Sequence, residues 1–117
     1  MTTLYALVIE DDPKLGAIYQ TALQQAGYET DLDANGNRYP AFLAARRPDL
    51  VILDLHLPYK FGSDILKDIR AQYPDTVVAV VTADFVKARA LTTQADHILI
   101  KPVSVASLLK LAESTRK

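Results

Sequence analysis

The sequence predicts an α/β domain built on a five-stranded parallel sheet with helices on both faces. Three observations predict it. Short, almost continuously apolar runs alternate with segments whose apolar residues recur at helical spacing. The 117 residues suit one domain, long enough to bury a core without staples. Polar residues gather just after the apolar runs, where open parallel sheets hold their ligands.

The first run, Leu4–Ile9, has the unbroken apolarity of a parallel strand covered on both faces. Asp12 can cap the helix after it, and Pro13 suits its first turn. Leu15, Ile18, Tyr19, Ala22, Leu23 and Ala26 form one apolar stripe, and Gly27 can end the helix. A thinner run at 28–32 is the second strand. The Asn35-Gly36-Asn37 turn opens a second helix, marked by Tyr39, Phe42 and Leu43 and stopped near Pro48. The third strand is 50–53, and Ile65, Leu66 and Ile69 mark a third helix ending before Pro74. The fourth strand is 77–81, followed by a short fourth helix from Phe85 to Leu91. The fifth strand is His97–Ile100, and Val105, Leu108, Leu109 and Ala112 mark a fifth helix that Ser104 can cap. Five β-α units with right-handed crossovers give a flavodoxin-like (βα)5 fold, strand order 2-1-3-4-5.

Composition narrows the function. Thirteen basic against fourteen acidic residues give a net charge of −1, too balanced for a dedicated nucleic-acid binder. There are no cysteines, which excludes disulfides and thiolate metal sites; His56 and His97 alone cannot build a structural zinc site. No apolar run approaches the ~20 residues of a membrane span. The first run ends in Glu10, Asp11 and Asp12, unlike a signal peptide, so the expected location is the cytoplasm.

The residues after the strands carry the chemistry. Glu10, Asp11 and Asp12 follow the first strand, Asp54 and His56 the third, Thr82 and Asp84 the fourth, Lys101 and Pro102 the fifth. Singly, each has an ordinary structural role: Asp11 or Asp12 as a helix cap, Asp54 in a turn, Thr82 as a β-branched strand end, Lys101 as a solvated lysine. Together they are more specific. Glu10, Asp11 and Asp54 would repel one another on one rim unless a cation relieved them. Oxygen donors without Cys point to a hard ion such as Mg²⁺.

The motifs LVIEDD, PDLVILDLHLP followed by Gly62, VVTA and IKP resemble the receiver domains of bacterial two-component response regulators, over nearly the whole chain. The resemblance implies that Asp54 is the phosphoacceptor and that Asp11 ligates Mg²⁺. It implies that Glu10 acts on the metal through water, with Asp54 and the His56 backbone carbonyl as further ligands, while Asp12 is left as the helix cap. Thr82 matches the switch hydroxyl and Lys101 the lysine that pairs with the phosphoryl group, with a cis Lys101–Pro102 peptide. His56 and Asp84 match positions that tune dephosphorylation. The implied partners are a sensor histidine kinase or phosphotransfer protein and an unidentified downstream protein, with a homodimer left open. Such a domain catalyses its own Mg²⁺-dependent phosphorylation and slow dephosphorylation but acts mainly as a switch. Residues 1–117 are expected to form this one domain, without an effector domain.

The sequence departs from the family pattern at three places. Ile98 stands where the switch residue is usually aromatic, Gln94 replaces a usual glycine, and the stretch from Thr82 to Lys101 is short by about one helical turn of ~3.6 residues. These departures leave phosphoryl acceptance intact and touch the face through which many members bind targets. They suit an alternative in which the fold serves as a pseudo-receiver, docking partners without regard to phosphate. A haloacid-dehalogenase-type hydrolase needs a second Asp where His56 stands. A dinucleotide site needs a G-x-G-x-x-G that is absent after the first strand.

Overall fold

Successive residues of a strand point to opposite sheet faces, so a strand apolar at every position needs cover on both sides. A computed structural model, describing residues 3–57 and 60–115, shows that arrangement. Pro58, which closes the PDLVILDLHLP motif, and the terminal Arg116 and Lys117 lie outside the described residues. The strands are β1 (Leu4–Ile9), β2 (Tyr28–Asp33), β3 (Leu50–Asp54), β4 (Val77–Thr82) and β5 (His97–Ile100). The helices are α1 (Pro13–Gln25), α2 (Tyr39–Ala45), α3 (Gly62–Gln72), α4 (Phe85–Ala90) and α5 (Val105–Thr115). All strand pairs are parallel, in the order β2-β1-β3-β4-β5. The flavodoxin-like expectation is met, short fourth helix included.

Alternation splits the core in two. Ala6, Val8, Leu50, Ile52, Ala79 and Val81 meet α1 and α5 on one face. Leu7, Ile9, Val51, Leu53, Val78 and Val80 meet α2 and α3 on the other, with Leu91 beyond α4. Tyr28 at the start of edge strand β2 ties across to α5 through its hydroxyl, which donates to Ala112 O at 2.8 Å.

Three ladders run one residue past the apolar pattern, through Asp33, Asp54 and Thr82. A backbone ladder needs only N–H and C=O groups, so it continues where the side chains turn polar. Asp33 is fully buried because its carboxylate accepts four backbone N–H groups, from Asn35 (3.0 Å), Gly36 (2.9 Å), Arg38 (2.8 Å) and Tyr39 (2.6 Å). It folds the β2–α2 loop and fills the helix start that Arg38 does not cap with its side chain. Gly36 takes φ 82° in that loop, where a Cβ would be strained.

The helix signals act as expected. Asp12 accepts from Lys14 N at 2.9 Å and Leu15 N at 3.2 Å. Gly27 at φ 96° ends the first unit, and Ser104 accepts from Ser107 N at 3.0 Å. Among the described residues no helix is long and apolar enough to cross a membrane.

Gly62 lets α3 start against the end of β3, the strand that carries Asp54. A Cβ there would stand 2.7 Å from Leu55 Cα and 3.0 Å from Asp54 O. Backbone cannot yield as a side-chain end does. Gly62→Ala is therefore expected to destabilise the protein by about 1–3 kcal/mol, the usual cost of overpacking. Urea unfolding of the two proteins measures it.

Candidate functional site

Strand register brings the polar residues to one edge. Ile9 pairs with Leu53, Asp54 with Val81, and Thr82 with Ile100. Glu10, Asp54, Thr82 and Lys101 therefore stand side by side at the carboxyl ends of β1, β3, β4 and β5. Lys101 N donates to Thr82 O at 2.9 Å, so the last connection begins against β4.

One oxygen from each of Glu10, Asp11 and Asp54 lies within 4.8 Å of the others. Glu10 is fully buried and Asp54 is 2% exposed, while Asp11 faces solvent. The Lys101 ammonium sits between the two buried acids, 3.0 Å from Glu10 Oε1 and 3.4 Å from Asp54 Oδ2. Glu10 Oε1 is thus held by the ammonium as an ion pair. Asp12 N donates to Glu10 Oε2 at 3.2 Å, and His56 N to Asp54 Oδ1 at 3.0 Å. With the acids ionised, three carboxylates face one ammonium, leaving two negative charges at the rim. An all-oxygen donor set with that residual charge fits a hard divalent cation.

Thr82 is buried, and its hydroxyl oxygen accepts from Asp84 N at 3.0 Å, an interaction that leaves the O–H free to donate. Asp84 caps α4 by accepting from Lys87 N at 3.0 Å. His56 is exposed and Pro102 follows a cis peptide bond. Ile98 packs half-buried against the α2–α3 core.

Residues outside the predicted set hold the loop that follows β3. The Tyr39 hydroxyl donates to Asp68 and receives Lys60 Nζ, which also lies 3.3 Å from Asp68 and so ties the β3–α3 loop to α2 and α3. Asp33 and Tyr39 carry no local motif. Their roles depend on contacts between distant segments, which periodicity does not report.

Burial, then the neighbouring Asp54 carboxylate, push the Glu10 carboxyl up to about 7; Lys101 and the Asp12 N–H pull the other way without cancelling them. Burial alone would lower the Lys101 ammonium, but Glu10 and Asp54 outweigh it and the net direction is up. A carboxyl raised on folding holds its proton better in the folded state. Stability is therefore lost as pH rises from the ordinary 4.5 to about 7. Metal-free protein should melt progressively lower across that window. Thermal denaturation of the parent beside Glu10→Gln checks this, because the variant should lack that part of the slope.

A family model described as "Response regulator receiver domain" matches residues 6–113. The chain is 33% identical over 106 residues to "Probable transcriptional regulatory protein TcrX" of Mycobacterium tuberculosis, covering 88% of this chain and 45% of that protein. It is 34% identical over 111 residues to "Regulatory protein VanRB" of Enterococcus faecalis, covering 92% and 50%. The chain thus spans about half the length of these curated relatives. Among solved structures, chemotaxis response regulator CheY4 of Vibrio cholerae superposes with a TM-score of 0.84 at 26% identity, covering 97% of this chain and 99% of that one. A CheY-like receiver domain protein from Methanospirillum hungatei shares the fold with a TM-score of 0.87 at 24% identity, covering 97% and 94%. With a match across nearly the whole sheet and its helices, the chain belongs to the response regulator receiver domain family.

Proposed function

We propose that this receiver domain accepts a phosphoryl group on Asp54, from a phosphohistidine of a sensor kinase or phosphotransfer protein or from a small phosphodonor. The observation that carries the reading is the buried Asp54 carboxylate, held by the His56 N–H and flanked by Glu10, Asp11 and Lys101. An Asp54 oxygen attacks phosphorus, a P–O bond forms, and the P–N bond to the imidazole breaks. The electron pair returns to the imidazole nitrogen, and Asp54 carries an acyl phosphate.

Most of the catalysis is electrostatic positioning. Lys101 turns from the carboxylates to a phosphoryl oxygen, and the Thr82 O–H donates to another. Asp11, Asp54 and the His56 carbonyl would hold Mg²⁺, with Glu10 acting through water. Bound there, Mg²⁺ supplies charge neutralisation to the transferring group. His56 and Asp84, two residues beyond Asp54 and Thr82, flank the approach of the water that reverses the modification. The added charge at this rim biases a loop equilibrium that a downstream protein reads. Partners are proteins rather than nucleic acid or membrane, in keeping with the balanced charge. In this reading the chain is a single domain whose switch runs through Ile98 and Pro102 without an aromatic at the usual position.

Intact-protein mass after incubation with Mg²⁺ and acetyl phosphate tests the reading. The parent is expected to gain one phosphoryl group and Asp54→Asn none. A folded parent that gains nothing, from acetyl phosphate or a phosphorylated kinase domain, contradicts it and favours phosphate-independent docking. Lys101→Gln is expected to slow the gain roughly a hundredfold, the usual cost of removing one transition-state donor. Replacing His56 with Ala should change the decay rate of the phosphorylated protein, and an unchanged rate removes that residue from the mechanism.

A further inference from the structure

The loop from β3 to α3 has two limbs, and they meet where His56 and Phe61 form an isolated antiparallel bridge. The outgoing limb touches the site. His56 N donates to Asp54 Oδ1 at 3.0 Å, and the His56 carbonyl is a proposed Mg²⁺ ligand. The returning limb runs through Lys60 and Phe61 into Gly62. The Phe61 carbonyl accepts from Asp64 N at 3.0 Å and Ile65 N at 3.3 Å, which opens α3. Whatever holds the returning limb therefore bears on where His56 stands.

Lys60 is held by a buried phenol as well as by charge. Tyr39 is 1% exposed, and its backbone N–H donates to Asp33 Oδ2 at 2.6 Å, so the ring is fixed at the start of α2. Lys60 Nζ lies 4.9 Å from the centre of that ring and donates to its hydroxyl oxygen. The same hydroxyl donates to Asp68 on α3, which the ammonium approaches at 3.3 Å. The Lys60 and Asp68 side chains are 38% and 53% exposed, and a pair so exposed contributes little by itself. Fastening both to a ring the core already holds spares part of the side-chain freedom that such a pair must lose. The bond to Tyr39 raises the Lys60 ammonium and lowers the Asp68 carboxyl, so both are charged at neutral pH.

We infer that Lys60, clamped by Tyr39 and Asp68, is a positioning residue for His56 and through it for the Mg²⁺ side of the site. The inference rests on the phosphoacceptor reading of Asp54 and adds residues from α2 and α3 to that site. Without the clamp the loop samples other positions, and apparent affinity falls with the fraction of molecules whose loop is in place. Charge alone predicts the opposite sign, since removing an ammonium favours a nearby cation.

Tyr39→Phe removes one hydroxyl and no charge. Lys60→Met removes the clamp and one charge. Lys67→Met, at an exposed position of α3, removes a charge alone. Calorimetric titration with Mg²⁺ should show affinity weakened in Tyr39→Phe and Lys60→Met, by up to roughly fivefold, the upper end of what an exposed pair supplies. Lys67→Met should not weaken it. The His56 backbone amide resonance of the metal-free protein should shift in the first two variants and stay in place in the third. A parent that binds Mg²⁺ and gains the phosphoryl group, with Tyr39→Phe matching its affinity or the His56 resonance unmoved, overturns this inference alone. A parent that fails in either overturns the phosphoacceptor reading and this inference with it.

Discussion

Three carboxylates that repel one another are held at one rim of the sheet, and one lysine between them only partly offsets their charge. Lys101 reaches both buried acids, at 3.0 Å and 3.4 Å, while Asp11 stands toward solvent. Buried like charges favour either protonation or a counter-ion. The raised Glu10 carboxyl is the first response, and a divalent cation is the second. The same imbalance burdens the metal-free fold, and the proposed acceptance of a metal and a phosphoryl group builds on it.

The rest of the molecule keeps that cluster from relaxing. The β1–β3–β4 register brings Glu10, Asp54 and Thr82 to one edge of the sheet, and two separate cores hold the sheet from both sides. Gly62 brings the start of α3 against the backbone of Asp54 and Leu55. Asp33 organises the next loop with four backbone bonds and so spends its charge on structure rather than on the site. Two acids at the ends of nearby strands thus do different work, decided by what their oxygens accept.

The fold was legible because its strands are buried on both faces and its helices on one, two patterns that differ in period. Asp12, Gly27 and Ser104 were legible because caps act within a few residues of themselves. The reach of Asp33 and the Tyr39–Asp68–Lys60 contact were not, since they join segments distant in sequence. Asp54, Thr82 and Lys101 each had an ordinary explanation in isolation, and their shared position at the carboxyl ends of strands made them a set.

The central claim is that the converging carboxylates require cationic relief. It is tested most directly by melting Lys101→Met with and without Mg²⁺, at a pH above the Glu10 value of about 7. Removing one partner of a buried ion pair costs about 3 kcal/mol, so the metal-free variant should melt well below the parent. Mg²⁺ should then close most of the gap. A gap of equal size with and without Mg²⁺, or none at all, would contradict the account.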